Sequence, residues 1–177
     1  MNGQFDETYN DTFPKAVTPA SSVERKINKV VQMMGNLHYV FDNWHTANFR
    51  LDNESLPAVI NVLPVSGEFN VTRNRMRDWP HCMLAFIDRT DFDFDGKEND
   101  KVLERCKNYA MEFILTANAS GLFEQIDGSV NYSVLYDKLD VNVTGVVLDL
   151  QLKEKDGIVL CYGKPIKDYF YGRDDKG

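Results

Sequence analysis

One amphipathic stripe constrains this chain more than any other feature. Between residues 99 and 121, Val102, Leu103, Cys106, Tyr109, Ala110, Phe113, Ile114 and Ala117 recur at three- and four-residue spacing, and Gly121 closes the run. At about 3.6 residues per turn these side chains fall on one side of a helix and leave the other side polar. A one-sided helix needs an apolar surface to cover it. Asn99 or Asp100 is the expected N-cap, because a short polar side chain there accepts the orphan amides of the first turn. Cys106 lies mid-stripe and reads as core packing rather than as a reactive thiol.

The flanking segments supply the covering surface. Ser21-Ser22-Val23-Glu24 is a capping-box pattern, and Val23, Ile27, Val30, Val31 and Met34 follow at helical spacing up to Gly35. Leu37, Tyr39 and Phe41 then alternate as in a strand. After Pro57, AVINVLPV reads as a short buried strand closed by Pro64 and Ser66-Gly67, and Phe69, Val71 and Arg73 continue as an extended segment. The continuous apolar run His81 to Ile87 belongs at a sheet centre. Beyond the long helix, Val130, Tyr132, Val134 and Tyr136 alternate over one strand. Residues 141 to 152 form another, apolar at Val141, Val143, Val147 and Leu148 and polar at Thr144, Asp149 and Gln151. Gly145 inside it signals a bulge or a close backbone approach. Asp156-Gly157 signals a hairpin returning through Ile158 to Tyr162.

The order helix, strands, helix, strands predicts an α+β fold, a mostly antiparallel sheet with two main helices packed on one face. Residues 21–163 form the single domain, between an N-terminal arm at 1–20 and a C-terminal arm at 164–177. The first arm is too polar to build its own core, yet carries Phe5, Tyr9 and Phe13, and the last carries Tyr169, Phe170 and Tyr171. Such segments suit docking on a neighbour.

Composition narrows the function classes. The chain has 177 residues, 43% of them hydrophobic and 12% aromatic, enough for a core without metal or disulfide staples. Its 27 acidic and 20 basic side chains leave a net charge of −7, which argues against phosphate-backbone binding as the main task. Cys82, Cys106 and Cys161 are odd in number and dispersed, so no disulfide framework is expected and a reducing cytoplasm fits. The polar, acidic N-terminus resembles neither a secretory signal nor a transit peptide, and no apolar run approaches the ~18 residues of a membrane span. A soluble protein with no membrane partner is expected.

Chemistry-bearing patterns are sparse. Arg73, Arg75 and Arg77 alternate with Asn74, Met76 and Asp78, which in a strand puts three guanidiniums on one solvated or partner-facing side. Asp91, Asp93, Asp95 and Gly96 match the first half of a calcium loop, but Val102 stands where the bidentate glutamate belongs. Alternation with Phe92 and Phe94 reads more simply as an acidic outer face with aromatics turned inward. His81 and Cys82 are strand neighbours that point to opposite faces, so they form no dyad. His38 and His45 lack the spacing of a zinc site. No phosphate-binding glycine loop, nucleophile elbow or zinc-protease helix occurs. Neither catalytic residues nor a cofactor nor a metal is expected.

The run NDKVLERCKNYAMEFILTANASGLFEQIDG leading into SVNYSVLYDKLDVNVTGVVLDLQL, with LPAVINVLPVSGEF and HCMLAFID upstream, resembles small neck and tail-completion proteins of tailed bacteriophages. The resemblance is nearest to those of Bacteroidales phages, including the crAss-like group, and covers roughly residues 20 to 162. It implies a structural virion subunit of the tail terminator or head-to-tail connector type, made in the host cytoplasm. Copies would form a closed ring that joins the portal side to the tail, contacts other neck or tail proteins, and surrounds a lumen through which DNA passes without sequence-specific binding. Closed rings use head-to-tail interfaces. An acidic balance suits a lining from which DNA slides away. The family carries no catalytic residues. Candidate contacts are Arg73, Arg75 and Arg77 against Asp91, Asp93 and Asp95 of a neighbour, which are opposite in charge, together with Tyr169, Phe170 and Tyr171. The competing reading is a monomeric adaptor or binding protein of a phage or mobile element.

Overall fold

A computed structural model describes residues 22–51, 56–91, 95–138 and 142–159. Both terminal arms therefore lie outside the described residues, as do Cys161, Tyr169, Phe170 and Tyr171. The elements run α1 (Ser22–Met34), β1 (His38–Asp42), α2 (Trp44–Arg50), β2 (Ala58–Thr72), β3 (Arg75–Arg89), α3 (Gly96–Ser120), β4 (Asn131–Lys138), β5 (Val143–Gln151) and β6 (Ile158–Val159). The sheet order is β1-β2-β3-β5-β4, with β6 added on β3, and among the described residues only the β1–β2 pair is parallel. The fold is α+β with a mostly antiparallel sheet, as the element order predicts.

α3 begins earlier than the apolar stripe. Asp95, not Asn99 or Asp100, is the N-cap: its carboxylate accepts the amides of Lys97 and Glu98, and Glu98 reaches back to the Asp95 amide at 2.9 Å. That reciprocal box adds a polar first turn that carries no apolar signal. At the other end Gly121 takes the left-handed conformation, φ 67°, that terminates a helix without a Cβ penalty. Val102, Leu103, Cys106, Ala110, Phe113 and Ala117 are buried, as the stripe predicts.

α1 and α3 lie on one face of the sheet. Ile27, Val30 and Val31 of α1, with Cys106 and Phe113 of α3, pack with Leu84, Phe86, Val146 and Leu148. Phe86 and Phe113 meet with ring centroids 5.7 Å apart and tilted, a favourable aromatic geometry. A smaller cluster on the other face joins Ala47 and Leu51 from α2 and the residue after it to Val40, Ile60, Ala85, Ile87 and Val147. β3 is central, and Leu84 to Ile87 are fully buried because both faces are covered.

Three strand expectations are corrected. β2 does not stop at Pro64. It bulges between Val62 and Ser66 and continues to Thr72, so that it and β3 are 15 residues each and form one long hairpin. The chain turns at Arg73 and Asn74, so the arginine segment straddles a turn rather than running along one strand. β6 does not return along β5 after Asp156-Gly157. It pairs with Arg75 and Met76 of β3. Thr144, though polar, is buried. Gly145 does mark a close approach, since a Cβ there would enter the Phe86 carbonyl and lie 2.9 Å from Ile87 Cα.

Candidate assembly surfaces

The β2–β3 hairpin outruns the sheet. Its outer half, Ser66–Thr72 paired with Arg75–His81, leaves Phe69 67% and Val71 61% exposed on one side. Alternation puts both on the same side of β2, and each pays a continuing cost in exposed apolar surface unless another surface covers it. Arg73 sits in the turn at the tip. Arg75 lies 3.7 Å from Asp156, and Arg77 donates to the side chain of Asn70 and the carbonyl of Lys155 at 3.1 and 3.0 Å. Arg75 and Arg77 thus reach toward residues 155 and 156 beside the hairpin, with Arg77 also tying its two strands together.

The acidic loop sits at the opposite end of β3. Asp91 pairs with Arg89 at 3.1 Å and Asp88 with Arg105 at 2.9 Å. Asp95 is spent on capping α3, so these carboxylates do not line one strand face, and Asp93 lies outside the described residues. No group of His, Cys, Asp or Glu able to hold a metal occurs among the described residues. The basic tip and the acidic loop are separated by the whole of β3, about 46 Å at ~3.3 Å per residue, and do not meet within one chain.

A third surface was not singled out by its sequence. β4 is the sheet edge, and Tyr132, Val134 and Tyr136 stand exposed on it. Tyr132 pairs with Leu148 and Val134 with Val146, so the stripe continues the helix-covered face beyond the cover of α3. Lys107 of α3 lies 5.6 Å from the Tyr132 ring centroid, and Met111 and Leu115 are exposed on the outer side of the same helix. Period-two alternation marks such a strand but cannot say which stripe is covered.

Glu154 is the other residue that local pattern does not reveal. It is 3% exposed, and one carboxylate oxygen meets Lys26 Nζ at 2.6 Å while the other accepts the Asp78 amide at 3.1 Å. Burial and the neighbouring Glu154 raise the Asp78 pKa. Beside this cluster is a cleft of about 160 Å³, lined mostly by apolar groups including Val23, Ile27, Pro64 and Pro80, with Glu24 and Asp78 at its edge.

The neighbouring His81 and Cys82 take opposite sides of β3. His81 meets Asp149 diagonally between β3 and β5, both about half exposed, while Cys82 points into the core. Burial pushes the Cys82 and Cys106 thiols up to about 12, so neither is a nucleophile near neutral pH. No helix among the described residues is long and apolar enough to cross a membrane. No family model matches this chain, and no curated protein or solved structure matches it either.

Proposed function

We propose that this chain is a structural subunit that assembles head to tail into a closed ring in the neck or tail connector of a tailed bacteriophage, between the portal side and the tail. The observation that carries the reading is the pairing of unlike ends on one strand. A basic tip with exposed Phe69 and Val71 stands at one end of β3, and an acidic loop at Asp91 stands at the other. A head-to-tail contact needs two different complementary surfaces on each copy, and β3 carries one at each of its ends. The resemblance to phage neck and tail-completion proteins supplies the setting. The net charge of −7 favours a lumen from which DNA is repelled rather than held.

Light scattering coupled to size-exclusion chromatography, with negative-stain images, tests the assembly. The full chain is expected to form rings of one rotational symmetry. Phe69→Asp and Arg73→Glu should each give monomers with an unchanged melting temperature, and Arg73→Glu combined with Asp91→Arg should recover rings. A single 20.3 kDa species at every concentration would remove the ring reading and leave the monomeric adaptor.

A further inference from the structure

We propose that the outer half of the β2–β3 hairpin is a hinged arm, with its hinge at Pro64 and Pro80 and its pose set by the Glu154 carboxylate. The hinge follows from the ladder. Val62 pairs with Met83 and the next pair is Ser66 with His81, so three residues of β2 face one of β3. Pro64 lies in that bulge and Pro80 opposite Gly67, and neither has an amide hydrogen to give to a neighbouring strand. The bulge interrupts the β2–β3 ladder at Pro64, and Pro80 next to it, whose carbonyl accepts from the Leu152 amide, has no amide to give back on that side. Gly67 fits there because a Cβ would stand 2.9 Å from Pro80 Cα.

A strap, residues 152–159, spans the weak point. On the body side Glu124 donates its amide to Lys153, Lys155 donates to Leu122, and Lys26 of α1 holds Glu154 Oε1. On the arm side Asp78 donates its amide to Glu154 Oε2, Trp79 Nε1 donates to the Glu154 carbonyl at 3.2 Å, and β6 pairs with Arg75 and Met76. One carboxylate thus has an oxygen on each rigid part. Hydrogen bonds to a buried charge are stronger than neutral ones, so its removal should loosen the arm more than any other single strap contact. The cleft between Val23 and Ile27 of α1 and Pro64 and Pro80 of the neck leaves space for the arm to rock. The lock concerns one copy and holds whether or not copies form a ring.

Hydrogen exchange by mass spectrometry on the full chain, well below its melting temperature, reads this directly. In Glu154→Gln, amides of Asn70, Thr72 and Arg77, which face the partner strand in the outer ladder, are expected to exchange about tenfold faster, the order expected for loss of a charged hydrogen bond. Amides of Ile60, Ala85 and Phe86 in the inner sheet should keep their protection. Equal acceleration of both sets, or an unchanged arm, would overturn the proposal. If Glu154→Gln does not fold, Trp79→Phe, which removes one arm-side hydrogen bond, must show the same pattern at smaller amplitude. Failure of both to fold, or an unchanged arm in Trp79→Phe, would equally overturn it.

Discussion

Lys26 on α1 and Glu154 beyond β5 lie 128 residues apart in sequence and 2.6 Å apart in space, with both side chains largely withdrawn from water. Breaking a buried pair by deleting one partner leaves an uncompensated charge, at a cost of about 3–5 kcal/mol. Lys26→Met should therefore lower chemical-denaturation stability by about 3 kcal/mol. Lys26→Met with Glu154→Gln should recover part of that loss, because the stranded charge is gone. A double variant weaker than the single one would contradict this account.

Asp78 should make stability fall with rising pH. Its carboxyl is held above the ordinary value of 3.8 by burial first and by Glu154 second. A carboxyl raised in the folded state stabilises most when protonated, below its unfolded value, and loses that contribution as pH rises through the raised folded value. Asp78→Asn is expected to raise the melting temperature at neutral pH. The difference from the parent chain should vanish near pH ~3, where the parent carboxyl is itself neutral. Melting curves of the two proteins across that range decide the point.

Cys82 and Cys106 are both buried, with thiols pushed up to about 12. At pH ~8 the reactive thiolate is then a fraction of about one in ten thousand. A thiol reagent added to the native chain should leave both unlabelled in peptide maps, and both should react in denaturant. Native labelling at Cys106 would mean that α3 lifts from the sheet.

Two core substitutions should separate crowding from cavity formation. Gly145→Ala forces a methyl group into the backbone of β3 at Phe86 and Ile87, which cannot give way as a side chain can. The expected loss is at least about 2 kcal/mol. Phe113→Ala empties the position against Phe86 and should cost about 3–5 kcal/mol. Denaturant midpoints measure both, and a near-neutral Gly145→Ala would show that β3 and β5 can separate locally.

The amino-acid pattern alone determined the local periodicities. The α3 stripe, the central run at Leu84 to Ile87 and the close approach at Gly145 follow from side-chain period and glycine chemistry within a few residues. Tertiary structure decided what was distant. Pro64 reads as a strand end locally, yet β2 passes it because β3 offers a partner on the far side of the bulge. Tyr132 and Val102 both lie on regular stripes, but β4 falls at the sheet edge, so its stripe stays exposed while that of α3 is covered. Glu154 looks like any surface glutamate until Lys26 and the Asp78 amide converge on it from other elements. Periodicity reports which side chains share a face. Which face is buried, and which charge finds a partner, depends on contacts far apart in the chain.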